Sequence, residues 1–434
     1  MLKSSQRFSL LQVALISGAI ATTTTLSFFG GIGCRSVRAE LHDSPKAIVD
    51  EAWQVVNREY VDGTFNHTNW QATRQSLLNQ NYTSKEQAYV AIRTALKQLG
   101  DPYTRFLNPK EYQSLNEESI VGQLSGIGIQ LGQNPKTQEL TVVATTDNSP
   151  ALKAGLKAGD RILAIDGKPT QGMKLEDASK LIRGKAGTSV VLQIARSGQS
   201  KFNVKIARAN IDVPKVSYTL KQENSKRVGY IRLAEFSAAA PQQMRRAIEN
   251  LTRQQVDGFV LDLRGNPGGV LGSSVEIARM WLQNGGIVQT VDRAGGREEI
   301  KANKTALTQK PLVVLVDGNS ASASEILSGA LKDNKRAVLV GSKTFGKGLV
   351  QQVNELSDGS ALAVTIEHYY TPNGTDIHHK GIQPDVQIDL TQAQLRYLAT
   401  NPASIGTQSD PQYARAIAVL SGRNFAKLRV NRLS

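Results

Sequence analysis

The run Pro311-Leu312-Val313-Val314-Leu315-Val316 leads directly into Asp317-Gly318-Asn319-Ser320-Ala321-Ser322-Ala323-Ser324-Glu325-Ile326, and this passage decides the fold class. An uninterrupted apolar run of strand length is the pattern of a strand covered on both faces, because a strand with one wet face alternates. Asp, Gly and Asn then mark a turn, and a helix starts near Ser322. The same alternation extends outward. Val228 to Phe236 reads as a strand, Pro241 to Gln254 as a helix with Pro near its first turn, Gly258 to Leu263 as an apolar strand and Leu271 to Leu282 as a helix. Downstream, Ala337 to Val340 is a further strand. Buried strands separated by helices predict an α/β layer whose ligands sit at the strand ends.

Two of those ends carry chemistry. At the first, Leu261-Asp262-Leu263-Arg264-Gly265-Asn266-Pro267-Gly268-Gly269 runs a strand into a turn rich in backbone N–H groups. It has no Gly-Lys-Ser/Thr ending and no Gly-x-Gly-x-x-Gly spacing, which argues against nucleotide binding. At the second, Ser322 has two readings. With Glu325 three residues on it forms a capping box, a purely structural device. A serine at a strand-turn-helix junction is also well placed as a nucleophile, since the N–H of Ala323 and the helix dipole can stabilise an oxyanion.

A nucleophilic serine needs a base. Of the five His, His42 and His67 fall early, while His368, His378 and His379 lie near the turn Thr371-Pro372-Asn373-Gly374. With Asp262 or Asp376 as orienting acid they leave a Ser/His/Asp triad open. The other candidate is Lys347, in Lys343-Thr344-Phe345-Gly346-Lys347-Gly348-Leu349-Val350-Gln351. A lysine base must lose its proton near neutral pH, a fall of about three units that corresponds to about 4 kcal/mol. Burial supplies such a shift and a nearby carboxylate opposes it. No Asp or Glu lies between Lys343 and Val353, and Phe345, Leu349 and Val350 offer apolar cover. Gln351, four residues after Lys347, falls on the same face in either a helix or a strand, and its neutral amide can orient the amine without holding its proton. The alternative for an exposed Gly-Lys-Gly is a solvated turn lysine.

Upstream, residues 44 to 118 read as helical: Ile48, Ala52, Val55 and Val56 follow a 3.6-residue period, repeated by Ala88, Ile92, Ala95, Leu96 and Leu99 before Gly100-Asp101-Pro102 stops the helix. This stretch is a packing or oligomerisation module without a catalytic cluster. From Ile120 the texture changes to short strands punctuated by Gly, as in Gly122-Gln123-Leu124-Ser125-Gly126-Ile127-Gly128-Ile129, followed by Gly155-Leu156-Lys157-Ala158-Gly159-Asp160-Arg161-Ile162-Leu163-Ala164-Ile165-Asp166-Gly167. An amphipathic stretch from Leu175 to Arg183 and a strand from Val190 to Ala195 complete the unit. Residues 120–208 resemble a PDZ domain. That resemblance implies capture of a chain's free C-terminus by strand addition, with the carboxylate held by backbone N–H groups of Ser125, Gly126, Ile127 and Gly128. The alternative is a tight Gly turn in a small β-domain with no ligand.

The chain has 434 residues with 52 Lys+Arg against 37 Asp+Glu, five His and one Cys, Cys34. Composition is ordinary globular, one Cys cannot make an internal disulfide, and a Cys/His metal cluster is excluded. No metal or other cofactor is expected. Residues 1–39 open with Lys3 and Arg7, carry no charge from 8 to 34 and end in Val37-Arg38-Ala39, the pattern of a cleaved export signal. A retained membrane anchor and lipidation at Cys34 are the alternatives. Removing Lys3, Arg7, Arg35 and Arg38 takes the formal charge from +15 to +11. A further basic group, Arg423, Lys427, Arg429 and Arg432, sits in the last dozen residues. The charge is therefore concentrated at the termini and gives no nucleic-acid patch. Residues 391–434 form a C-terminal extension in which Pro411 to Leu420 has helical spacing; it reads as a solvated tail, with contact to an anionic membrane surface the alternative.

Taken together, Asp262-Leu263-Arg264-x-Asn266-Pro267-Gly268-Gly269, Ser320-Ala321-Ser322-Ala323-Ser324-Glu325 and Thr344-Phe345-Gly346-Lys347-Gly348-x-x-Gln351 resemble the carboxyl-terminal processing (tail-specific) proteases of the S41 type. The resemblance implies a multidomain α/β chain: an N-terminal helical domain (40–119), a PDZ domain (120–208) and a ClpP/crotonase-like protease core (209–390). It implies a Ser-Lys endopeptidase in which Ser322 is the nucleophile, Lys347 the general base, Gln351 the residue that positions the lysine, and the N–H groups of Gly268 and Ala323 the oxyanion hole. The PDZ domain would take substrate tails and gate the site. Ser44-Pro45-Lys46 to Trp70 and the export signal look most similar to cyanobacterial and chloroplast-type members, implying a periplasmic or thylakoid-lumen enzyme with the C-terminal extension of a photosystem II reaction-centre precursor as one substrate. An exported PDZ scaffold that binds tails without catalysis is the reading from another class.

Overall fold

The structure, a computed structural model, describes residues 44–116, 123–133, 137, 139–146, 148–212, 214–223 and 225–422. The expected export signal, Cys34, Gly122 and the basic residues from Arg423 onward lie outside the described residues. Among those described, no helix is long and apolar enough to cross a membrane. The chain divides into two compact units, one formed by Ser114–Lys215 with Ser237–Ala239 and the other by the rest.

The larger unit begins with α1 (Pro45–Glu59), α2 (Trp70–Asn79) and α3 (Lys85–Lys97), whose first turns are capped by the side chains of Ser44, Asn69 and Ser84. The apolar stripe of α1 (Ile48, Ala52, Val55, Val56) and that of α3 (Ala88, Ile92, Ala95, Leu96) are buried as the 3.6-residue spacing predicts. They share one core with Leu356, Leu362 and Val364, so the helical segment is not a separate arm. The chain then forms β1 (Arg105–Leu107) and α4 (Pro109–Leu115).

The smaller unit contains β2 (Gln123–Gly126), β3 (Ile129–Gln133), β4 (Leu140–Thr145), α5 (Pro150–Lys153), β5 (Arg161–Ile165), β6 (Lys168–Pro169), α6 (Leu175–Ile182), β7 (Ser189–Ala195), β8 (Phe202–Ala207) and β9 (Ala209–Asp212). Its sheet runs β3-β4-β5-β7-β8 with β6 on β5, and β2 pairs with β9 as a separate ribbon. Ile127, Leu140, Ile162, Ile165, Val190 and Leu192 lie in its core.

The larger unit resumes with β10 (Val216–Glu223), β11 (Lys226–Leu233), α7 (Ala240–Arg253), β12 (Gly258–Asp262), α8 (Leu271–Trp281), β13 (Gly286–Asp292), β14 (Arg297–Lys301), β15 (Leu312–Val316), α9 (Ala323–Asp333), β16 (Val338–Gly341), β17 (Leu349–Glu355), β18 (Ala361–Tyr370) and β19 (Val386–Gln387). One sheet has the order β10-β11-β12-β15-β16-β19, parallel from β11 to β19. All five residues of β12 and of β15 are buried, which is why both read as unbroken apolar runs. A second sheet has the order β1-β18-β13-β14 with β17 also on β18, and it pairs Arg105 with Ala363, residues remote in sequence.

The C-terminal segment departs from the solvated tail expected for it. After α10 (Gln392–Thr400), α11 (Pro411–Ser421) packs Tyr413, Ala416, Ile417 and Leu420 against Val228, Tyr230, Val260, Val313, Leu315 and Val340, covering the second face of the parallel sheet. A buried ion cluster fixes the start of this helix. Arg264 Nη2 lies 2.6 Å from Asp262 Oδ2 and 2.7 Å from Asp410 Oδ2, and Arg264 Nη1 donates to Gln412 Oε1. Burial pushes the Asp262 carboxyl up, but the Arg264 charge and the hydrogen bonds from Arg264 and Tyr230 outweigh it and hold the group below the ordinary carboxylate range. Its contribution to stability is therefore complete above the unfolded pKa of about 3.9 and is lost as pH falls through the lower folded value. Replacing Asp410 by Ala strands part of a buried guanidinium and is expected to cost about 3–5 kcal/mol of stability in urea unfolding; a loss below about 1 kcal/mol would mean that the cluster does not secure α11.

Candidate active site

Strand β15 ends at Val316, and the turn after it is built by side chains. Ser320 Oγ donates to Leu263 O at 2.8 Å and accepts from the Asp317 N–H, joining the ends of β12 and β15. Ser324 Oγ donates to Asn266 O at 2.9 Å. Both of these serines are completely buried, whereas Ser322 is only half-buried. Ser322 has φ 54° and ψ −115°, a conformation that costs a residue with a Cβ on the order of 1–3 kcal/mol and persists only where the surroundings enforce it.

The enforcing group is the carboxylate of Glu325, fully buried in the first turn of α9. Its Oε2 accepts from the N–H of Ser322 at 2.9 Å, the acid's half of the capping box, and also from the N–H of Lys347 at 2.9 Å. Its Oε1 accepts from the Thr344 hydroxyl at 2.6 Å and the Gly346 N–H at 2.7 Å. One carboxylate thus holds the backbones of the candidate nucleophile and the candidate base. Tyr369 makes the second tie: its hydroxyl faces Ser322 O at 3.1 Å and also the carbonyl of Lys347. Burial pushes the Tyr369 phenol well up, so it stays a donor.

Lys347 is half-buried, and its Nζ lies 4.7 Å from the centre of the Tyr103 ring. Burial, followed by the charge of Arg105, lowers its pKa from the ordinary value, while Asp101 and Glu325 oppose the shift. Two expectations change here. Phe345 gives the amine no cover, being 54% exposed, and Tyr103 stands over it instead. Carboxylates do approach the amine, although none lies in its own segment; burial outweighs them. The helical stretch, read as chemically bland, ends in Asp101, Tyr103 and Arg105, all close enough to act on Lys347. Gln351 follows a register slip between Val350 and Gln351, across which simple alternation does not carry, and its Nε2 donates to Thr365 Oγ1 at 3.3 Å.

Gly268 packs directly on the Ser322 turn: a Cβ there would come within 2.8 Å of Ser322 Cβ and 3.0 Å of the Ala323 nitrogen. Its φ of 106° also requires glycine. The Gly268 N–H donates to Asn266 Oδ1 at 2.9 Å, so it must share or exchange that partner to serve an oxyanion. Among the described residues, neither carboxylate considered as orienting acid hydrogen-bonds a histidine ring. Asp262 is committed to Tyr230 and Arg264, and Asp376 accepts from the His378 backbone N–H and from Lys380. His378 Nδ1 faces the Gly348 N–H at 3.4 Å. Among the described residues no group of His, Cys, Asp and Glu is arranged to hold a metal ion.

In the smaller unit, Ser125 and Gly126 end β2, with Ser125 Oγ donating to Gly184 O at 2.7 Å. Ile127 is buried, and Gly128, at φ 78°, sits where a Cβ would come within 2.3 Å of Ser149 Cβ. These four residues lead into β3, which is an end strand of its sheet and packs against α6.

Residues 227–388 match the model of peptidase family S41, and residues 141–196 match a PDZ domain model. A carboxyl-terminal-processing protease of Synechocystis is 40% identical, covering 97% of this chain and 95% of the relative. The chloroplastic carboxyl-terminal-processing peptidase 3 of Arabidopsis thaliana is 37% identical over 87% of this chain and 74% of its own length. Among solved structures, a photosystem II D1 C-terminal processing protease superposes with a TM-score of 0.53 at 36% identity, covering 80% of this chain and 93% of that one.

Changing Glu325 to Gln turns an amide NH2 toward groups that are all donors. The expected result is a loss of peptidase activity of roughly a hundredfold or more together with about 1–3 kcal/mol of stability, measured by peptide cleavage and thermal unfolding. Wild-type turnover in that variant would show that the shared carboxylate does not set the site.

Proposed function

The chain belongs to peptidase family S41 and is a serine-type peptidase; from that premise we propose that it cuts near the carboxyl terminus of exported protein substrates with Ser322 as nucleophile and Lys347 as general base. The observation that carries this reading is the shared anchoring of the two residues: both backbone N–H groups on one Glu325 oxygen, both carbonyls on the Tyr369 hydroxyl.

In the reaction, the neutral Lys347 amine takes the Ser322 hydroxyl proton as Oγ attacks the scissile carbonyl carbon. The oxyanion is stabilised by the Ala323 N–H at the start of α9, helped by the helix dipole, and by the Gly268 N–H once it turns from Asn266. The carbon–nitrogen bond then breaks, and the proton on Lys347 passes to the leaving amine. Water, deprotonated by Lys347, attacks the acyl-enzyme, and the ester bond breaks to return Ser322 with its proton. Gln351 positions the amine.

The PDZ unit supports tail recognition. The free edge of β3 can add a substrate strand, and the N–H groups around Ser125, Gly126, Ile127 and Gly128 would receive the terminal carboxylate. The relatives named above are cyanobacterial and chloroplastic, which supports export by residues 1–39 to a periplasm or thylakoid lumen. The D1 protein of photosystem II, acted on by the structural neighbour, is the substrate we favour.

Incubating the chain with tailed substrates and mapping products by mass spectrometry tests the reading. Ser322→Ala and Lys347→Ala should each lower kcat by roughly four orders of magnitude, while His368→Ala, His378→Ala and His379→Ala retain cleavage; persistence in Ser322→Ala refutes the nucleophile. Because the base must be neutral, kcat/KM should rise with pH through a pKa below the ordinary lysine value. An amidated tail should be cut more slowly than a free carboxylate, and equal rates would count against tail capture.

A further inference from the structure

The turn after α3 places one carboxylate in contact with the Tyr103 backbone and with Thr365, the partner of Gln351. Asp101 Oδ1 accepts from the Tyr103 N–H at 2.8 Å, and Asp101 Oδ2 accepts from the hydroxyls of Thr104 at 2.7 Å and Thr365 at 2.6 Å. Thr104 Oγ1 in turn accepts from the Thr365 N–H at 3.1 Å. Thr104 and Thr365 are buried, so this network is shielded from competing water. The Tyr103 backbone is held in this way, and its ring centre lies 4.7 Å from the Lys347 amine.

The other arm ends on Gln351. A carboxylate only accepts, so the single Thr365 hydroxyl proton is spent on Asp101, and the Thr365 oxygen can only accept from its remaining neighbour. That neighbour is the Gln351 amide at 3.3 Å, which must therefore present its NH2 to Thr365. Its carbonyl oxygen is left facing the other way, the end of the amide able to accept from a lysine amine. We propose that Asp101 is a positioning residue for the peptidase base, seating Lys347 against Tyr103 directly and, through Thr365, fixing the Gln351 amide with its oxygen available to the amine. The segment 101–105, which looks from its sequence like a helix stop, thereby belongs to the active site. This rests on the Ser-Lys reading above and deepens it.

The charged and titratable groups around Lys347 come from each element packed there: Asp101 from the turn, Arg105 from β1, Glu325 from α9, Tyr369 from β18 on the Lys347 carbonyl, Tyr103 over the amine, and His378 behind Gly348. Arg105 disfavours the ammonium and Asp101 favours it. Their removal should therefore move the lysine's titration in opposite directions, an outcome that general loosening of the fold would not produce.

The test is the pH dependence of kcat/KM on a quenched tailed peptide, beside the pH dependence of Ser322 labelling by a fluorophosphonate. Arg105→Met should move the acid limb of both profiles to higher pH, and Asp101→Asn to lower pH with kcat reduced about tenfold to a hundredfold. Thr365→Val should lower kcat similarly, and Thr365→Ser should restore most of it. Arg105 is exposed, so its variant tests the proposal even if Asp101→Asn fails to fold. Unmoved limbs, or equal kcat in the Val and Ser variants at position 365, would overturn the positioning role while Ser322 labelling keeps the peptidase reading intact. Absence of Ser322 labelling in the wild type would overturn both.

Discussion

The arrangement of the site depends on one buried charge. Desolvating a carboxylate is costly unless it is fully hydrogen-bonded, and Glu325 meets that condition by accepting from Ser322, Thr344, Gly346 and Lys347. Any movement of the Thr344–Lys347 segment away from α9 would leave that charge with unmet acceptors. One of these bonds, from the Ser322 N–H, ties Ser322 to that carboxylate at its strained backbone angle. Energy from a structural ion is thus used to keep Ser322 and Lys347, the proposed nucleophile and base, in register, and Tyr369 closes the arrangement from the carbonyl side.

A second buried charge cluster holds the frame. Asp262 and Arg264 end β12 and engage Asp410 and Gln412 at the start of α11. This fixes the strand end from which Asn266 and Gly268 proceed to the Ser322 turn, and it recruits the last described helix to cover the sheet. Tyr413 continues the network to Glu223, and its ring meets Tyr230 edge-on. The motif that first drew attention as a candidate catalytic acid is therefore an anchor for the architecture.

The α/β alternation was legible because strands covered on both faces carry unbroken apolar runs, as β12 and β15 do. Local spacing marked Ser322 and Lys347 only as candidates, each with a structural alternative, and it is the resemblance to the S41 proteases that gives them catalytic roles. What escaped reading comes from pairing over long sequence distances. The β1–β18 pairing joins Arg105 to Ala363, and with the Thr365 hydrogen bonds it brings Asp101 and Tyr103 to Lys347. Spacing within a segment also could not reveal that Phe345 faces outward or that a register slip precedes Gln351. The role of α11 was hidden because its partners lie on four different strands. Glu325 did leave a signal: an acid within the apolar turn Ala323 to Leu327 requires a buried partner, and the capping box met that requirement on paper with one bond where the fold makes four.

At the centre of the proposed mechanism is Lys347, whose pKa is lowered by burial and the Arg105 charge against the pull of two carboxylates. The most direct test is to titrate that amine itself: in the Ser322→Ala protein, the rate of acetylation of Lys347 by trace acetic anhydride, followed peptide by peptide across pH. The account predicts a midpoint clearly below the ordinary lysine value of 10.5. A midpoint at or above it would mean that the amine is charged at working pH, and the Ser-Lys mechanism would have to be abandoned.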